Sequence, residues 1–331
     1  SFASSAASTA RAMASHAAAS TPPSAASTAA TTTPATTTTA TTFASRALAY
    51  TGSVLGLASA AAFTSAVVAE VDGVGLAASP ISATRAALPR DKSPFDSVTL
   101  YQYDVCPFCN KVKAQLDFLG IAYDVVEVNP LTKSELGFSK EYRKVPIVIV
   151  DGEQINDSAV IMREMETRMK KAGLRGRGAR PRPGSAAAKK EDEWFAWVDS
   201  RFVHVVTPNI YRTWEEAQRS FDYITERGNF NWFMRQAIAL SGAASMYVIS
   251  HRVLKKRHGI EDERAALYEA LDDWMQNAVG PKNAFCGGSE PNLADLAVFG
   301  VLRAVKTFDT FSDAMENTNA KPWYERMRVE V

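Results

Sequence analysis

The stretch SVTLYQYDVCPFCNKVKAQLDFLG, residues 97–120, changes its hydrophobic period halfway along. Up to Tyr103 the residues alternate and are rich in β-formers, which predicts a strand. From Cys109 onward, Cys109, Val112, Leu116 and Leu119 fall on one face at helical spacing. Gly120 is a suitable helix stop, because it adopts the left-handed conformation at little cost. Two cysteines, Cys106 and Cys109, flank Pro107 and Phe108 where the period changes. The valine-rich AYDVVEV, 122–128, predicts a second strand. Strand, helix and strand make a βαβ unit with a right-handed crossover.

Further along, 131–142 predicts a short helix or loop. KVPIVIVDGEQIND, 144–157, predicts a hairpin turning at Asp151–Gly152. DSAVIMREMETRMKKA, 157–172, predicts a helix with Asp157 or Ser158 as N-cap. Ile161, Met165 and Met169 are expected to face inward, with Val160 beside them. The order β-α-β-(α)-β-β-α is that of a thioredoxin-like α/β domain, placed at 96–172.

That order puts CPFC at the first strand–helix junction, and this gives Cys106 a chemical rationale. Pro107 fits the first helical position, where its missing N–H costs nothing. Unpaired amides and the positive end of the helix dipole favour the Cys106 thiolate, which is the nucleophilic form. Cys109, one turn in, either resolves a mixed disulfide or is core. A proline opening a sheet strand, as in KVP, is unusual away from an edge, and the thioredoxin-like context makes a cis Val145–Pro146 bond the expectation, turning the Val145 backbone toward an extended peptide ligand. Asp157 and Ser158 at a helix N-terminus suit a carboxylate through backbone N–H groups, and Asp157 suits an amino group beside it. An α-amino-acid end carries both. The same two residues also serve as a plain helix cap.

Bulk properties narrow the alternatives. The chain has 331 residues, about two domains' worth, and a net charge of +1. Nothing in that balance points to nucleic acid as a partner. Three cysteines, Cys106, Cys109 and Cys286, are too few for a disulfide scaffold. His16, His204, His251 and His258 sit at no ligand spacing from them, so no metal site is expected. Residues 1–95 are a different material. STAATTTPATTTTATT, 27–42, is low-complexity, and no acid precedes Glu70. That is the composition of an organelle transit segment, the alternative being a linker without an address. Uncharged ALAYTGSVLGLASAAAFTSAVVA, 47–69, is long enough for a membrane helix but is filled with small residues. Residues 71–95 are expected to be linker.

The C-terminal part, 191–331, reads as all-helical, after a basic, Gly- and Pro-rich linker at 173–190. KKEDEWFAWVDSRFVHVVTPNIYRTWEEA, 189–217, carries aromatics at helical spacing. QAIALSGAASMYVISHRVLKKRHG, 236–259, predicts a buried core helix with a basic end, the alternative being an interfacial membrane helix. In PNLAD, 291–295, Asn292 and Asp295 form a variant of the capping box.

A thioredoxin-like unit with CPFC, KVP and DS, followed by helices opening on NLAD, resembles a glutathione transferase-like protein. LYQYDVCPFCNKVKAQLDFLGIAYDVVEVNP, YRKVPIVIV, NDSAVI, TPNIYRT, SFDYI, AASMYVIS, PNLADLAVFGVLR and PWYERM together resemble the membrane-associated prostaglandin E synthase type 2 family, over about 97–328. The resemblance implies isomerisation of a prostaglandin endoperoxide, with Cys106 as nucleophile or acid partner, glutathione as cofactor and a small hydrophobic substrate. It places Tyr103 beside the cysteines Cys106 and Cys109, with Phe108 as a further pocket wall. It implies a glutathione cradle of Val145, Pro146, Asp157 and Ser158. It implies haem contacts at His204, Arg252, Lys256 and Arg257, and a homodimer formed through the helical half. A mitochondrial membrane is the expected location, a plastid the alternative. Asp104 stands where relatives often carry lysine, which predicts a weaker thiolate unless Lys111, Arg143 or Lys144 approaches the sulfur. A second function class also fits the long N-terminal extension: an accessory subunit of an organelle membrane complex, held through 47–69.

Overall fold

The computed structural model describes residues 81–83, 93–130, 132–173, 181–221 and 232–331. The N-terminal tail, with the candidate membrane segment 47–69, lies outside the described residues. Among those described, no helix is long and apolar enough to cross a membrane.

The α/β half forms as its pattern dictates. Strand β1 is Ile81–Ala83 and β2 is Val98–Gln102, which leads through CPFC into α1, Pro107–Phe118. Strand β3, Tyr123–Glu127, follows, then a short 3-10 turn at Ser134–Leu136. The hairpin β4, Ile147–Val150, and β5, Glu153–Asn156, ends in α2, Ser158–Lys171. The sheet order is β1-β3-β2-β4-β5. β2 and β3 run parallel, and β4 and β5 are antiparallel additions on the other side. The hairpin turns on Asp151 and Gly152, both at positive φ as a two-residue hairpin turn requires.

Three expectations need correcting. The stretch 71–95 is not all linker, because Ile81–Ala83 pairs antiparallel with Tyr123–Val125 and becomes an edge strand. Val160 faces solvent, 54% exposed, and Met162 takes the inward position beside Ile161, Met165 and Met169. With Ile161 at the core face, Val160 lies 100° round the helix from it, while Met165, four residues on, shares its side. The stretch 173–190 is also not linker throughout, since a helix capped by Ser185 starts at Ala186.

The second half is helical. Helix α3, Ala186–Trp197, runs through one wider π turn, Val198–Phe202, into α4, Val203–Ile210. Then come α5, Trp214–Arg219, and α6, Trp232–Ile249, which continues through another wide turn, Ser250–Leu254, into α7, Lys255–His258. α8 is Glu263–Asp273, α9 Leu293–Ala304, α10 Asp309–Asn317 and α11 Lys321–Glu330. The α6–α7 rod is not the fully buried helix expected. Leu240, Val248, Ile249 and Val253 along it are exposed.

The PNLAD box forms as read. Asn292 Oδ1 accepts from the amides of Ala294 and Asp295, and Asp295 Oδ2 accepts from Asn292 N–H at 3.1 Å. Asp295 does more than cap. Fully buried, it also accepts from the amides of Cys286 and Gly287 and from the Trp323 indole. It thus ties the start of α9 to the preceding loop and to α11.

α9 carries the sulfur-bearing helix, because α1 lies directly across it. Gly300 is the crossing point. A Cβ there would stand 2.5 Å from Asn110 O and from Lys111 Cα.

Candidate active site

Cys106 occupies the N-cap position of α1 with an extended backbone (φ −73°, ψ 119°), and Pro107 opens the helix. The preceding loop is braced from three sides. Cys106 N–H donates to Tyr103 O at 3.0 Å. Asn110 Nδ2 donates to Asp104 O at 2.7 Å and to Cys106 O at 3.1 Å. The Asp104 N–H donates to Glu127 Oε1 at 2.8 Å. Cys106 is left half-buried, while Cys109 is buried.

The two sulfurs are electrostatically unequal. A hydrogen bond from Cys109 pulls the Cys106 thiol below its ordinary value, against the cost of burial, and the amides of Cys109 and Phe108 act in the same direction. Burial pushes Cys109 well above its ordinary value, and its bond to Cys106 adds to that. The outer sulfur is therefore the easier of the two to ionise, and the inner thiol donates to it. Burial also pushes Cys286 up to about 12, next to the charge of Asp295. Cys286 remains an inert core thiol.

Lys111 completes the site from below. It is fully buried, pairs with Asp199 at 2.5 Å, and lies 5.9 Å from the Phe108 ring centroid and 5.0 Å from that of Phe195. Burial lowers its ammonium pKa, with Asp199, Asp157 and Cys106 opposing. One cation is thus within electrostatic reach of both the sulfur and the α2 N-terminus. The Asp104 carboxylate pairs with Lys113 at 3.1 Å, and Glu127 is an acid that opposes the Cys106 thiolate.

The expected cradle residues come together on this edge. The Val145–Pro146 bond is cis. Ladder pairing of β4 begins only at Ile147, so the Val145 backbone takes no part in it. Val145 packs with Tyr101, Tyr103 and Tyr142 around Val128, Leu136 and Ile147. Burial holds the Tyr103 phenol far above its ordinary value, with Cys106 adding to the shift. Asp157 holds a positive φ of 72° and caps α2 by accepting from the amides of Ala159 and Val160 at 2.9 and 3.4 Å. Both bonds end on Oδ1, so Oδ2 retains acceptor capacity for an ammonium group. Ser158 is buried behind it.

The residues expected to contact haem lie elsewhere. His204 stacks on His258, ring centroids 3.9 Å apart. Burial lowers the His204 pKa, and His258 and Arg257 add to that. Arg252, Lys256 and Arg257 are exposed on the rod. Asp199 links this group electrostatically to the sulfur site, since it acts on both His204 and Lys111.

Glu127, Asp199, Asn110 and Tyr142 were not expected at the site, whereas Lys111 was one of the cations expected to be able to offset Asp104. Glu127 left a trace in the sequence: an acid closing the apolar run VVEV in a strand buried on both sides. Asp199 and Tyr142 left none, because their partners lie far along the chain, and Asn110 reads as an ordinary polar helix residue although its partners, Asp104 O and Cys106 O, are near in sequence.

Residues 100–172 match the family model described as glutathione S-transferase, N-terminal domain. The chain is 41% identical over 277 residues to prostaglandin E synthase 2 of Danio rerio, covering 72% of this chain and 73% of that protein. It is 39% identical over 289 residues to prostaglandin E synthase 2 of Mus musculus, covering 76% and 74%. Among solved structures it is similar to glutathione S-transferase III in apo form, with a TM-score of 0.47 and 16% identity over 70% of this chain and 91% of that one. Rice GST1 in complex with glutathione gives a TM-score of 0.41 and 14% identity over 70% and 87%. The family match and the sheet order make this a glutathione transferase-like fold, a thioredoxin-like mixed sheet followed by a helical region.

Proposed function

Since the chain belongs to the prostaglandin E synthase 2 family, we propose that it is a glutathione-linked thiol enzyme that isomerises a lipid endoperoxide of the prostaglandin type. The observation that carries this reading is Cys106, a half-buried thiol at a helix start whose pKa is lowered by its bond to Cys109. A thiolate there attacks one peroxide oxygen and the O–O bond breaks heterolytically. Loss of the adjacent C–H proton returns the S–O electrons to sulfur. The products are a ketone, a hydroxyl and a regenerated thiolate, so the reaction is a net isomerisation.

The glutathione fit rests on the unladdered Val145 backbone and on the Asp157 cap. The Val145 amide and carbonyl would pair with the cysteinyl backbone of the tripeptide. Asp157 Oδ2 would take its α-ammonium group, and the α2 amides its α-carboxylate. Bound there, glutathione would supply a second thiol. The residues offered for haem lack this convergence with Cys106, and haem has no part in the proposal.

The deciding assay is ketone formation from the endoperoxide by the full chain with glutathione. Cys106→Ser should abolish it and Cys286→Ser should leave it nearly intact. Equal loss from both changes, or no ketone from the unaltered chain, overturns the reading. Pairing of two copies through the helical half, and attachment to a mitochondrial membrane through 47–69, belong to the same proposal. Release of the intact chain from membranes by carbonate would remove the attachment.

A further inference from the structure

Glu127 closes β3 and is 8% exposed. Its two oxygens hold different things. Oε1 accepts the Asp104 amide at 2.8 Å, in the loop that sets Cys106. Oε2 accepts Gln102 Nε2 at 3.1 Å. Gln102 is 2% exposed, and its own Oε1 has no partner. The next amide along, that of Tyr103, faces the Cys109 sulfur. Two consecutive peptide N–H groups therefore connect the carboxyl and the inner thiol.

A buried carboxylate this close to a thiolate puts two like charges in a poorly solvated place. The groups around it are Asp104 and Lys113, paired with each other, together with Cys106, Cys109 and the Tyr103 phenol. Lys113 favours its ionised form, less strongly than the Gln102 and Asp104 bonds do. Burial raises its carboxyl to about 7, with the Gln102 and Asp104 bonds opposing. The surroundings suit either protonation state. Ionised, Glu127 accepts from Gln102 and Asp104. Protonated, it can donate to Gln102 Oε1 once the amide turns over, which gives that orphaned oxygen a partner.

We propose that Glu127 and the Cys106–Cys109 pair hold one negative charge between them, so that Glu127 retains the proton as the thiol ionises and releases it as the thiol is restored. Glu127 is thus a positioning residue for the thiol chemistry: it clamps the Cys106 loop through Asp104 N–H and sets when the sulfur is anionic. This deepens the reading of the site as a thiol enzyme, but its test needs neither glutathione nor endoperoxide.

In the reduced full chain with Cys286→Ser, the rate of alkylation by iodoacetamide is followed against pH. The Glu127-bearing chain should show two interacting steps. Glu127→Gln should give a single step displaced toward lower pH by on the order of one unit, about tenfold in thiolate on the rising limb. Glu127→Asp should restore two steps. A Glu127→Gln profile superimposed on the parent overturns the proposal. Should Glu127→Gln fail to fold, the reciprocal measurement decides. The infrared band of the protonated buried carboxyl should titrate at lower pH in Cys106→Ser than in the parent, and an unmoved band overturns the proposal equally. Either failure leaves the isomerase assay untouched.

Discussion

Gly300→Ala sets two opposing effects against each other. In an isolated helix, alanine for glycine is favourable by about 1 kcal/mol, so α9 alone would gain. Against this, the new methyl would lie 2.5 Å from Asn110 O and from Lys111 Cα. Ordinary carbon contacts are about 3.5–4 Å, so α1 and α9 would have to part by roughly 1 Å. Neither obstacle is the end of a flexible side chain that could swing aside, since both belong to the α1 backbone. Overpacking of a close-packed core costs about 1–3 kcal/mol. The separation would also loosen Arg303 from Asp117, 2.6 Å away along the same crossing. With rigid backbone on both sides the overpacking cost falls in the upper part of that range, about 2–3 kcal/mol, so the clash should win with a net loss of about 1–2 kcal/mol. Urea denaturation should show a lower midpoint with unchanged slope. Since α1 carries Cys106, the alkylation rate of that thiol should change as well. A variant as stable as the parent would mean that the crossing yields without cost, and would refute the reasoning.

Two other buried charges give sharp expectations. Asp295→Ala strips the acceptor from the amides of Cys286, Gly287 and Asn292 and from the Trp323 indole, all buried or half-buried. It should cost about 3–5 kcal/mol, read as a fall in thermal midpoint, and a loss below about 1 kcal/mol would contradict this account of the box. Lys111 is 0% exposed and Asp199 33%, so their pair should respond unequally. Asp199→Ala leaves an ammonium group buried alone and should destabilise by several kcal/mol, whereas Lys111→Met leaves a carboxylate that can reach water and should cost less. The opposite ranking in urea titrations would show that the pair is not held as described.

How much of this was legible in the sequence follows from the range of each interaction. Period changes, the Asp151–Gly152 turn and the Asn292 box act over two to five residues, and all three were readable. Cys106 was readable for the same reason, because its helix start lies within three residues of it. What escaped depends on partners far along the chain: Lys111 on Asp199, Gly300 on Asn110, and the β1 edge strand on Tyr123–Val125. Asp104 shows the difference. Proximity in sequence sets its charge against the sulfur, and the structure adds Lys113, which the helix brings back to within 3.1 Å of it. A second acid that opposes the thiolate comes from Glu127, on the neighbouring parallel strand, whose carboxyl holds the Asp104 amide. A lysine substituted at 104 would therefore act on a sulfur whose balance is already set from beneath by Glu127 and Lys111. The effect of the residue two before the cysteine should be small as long as those two remain in place.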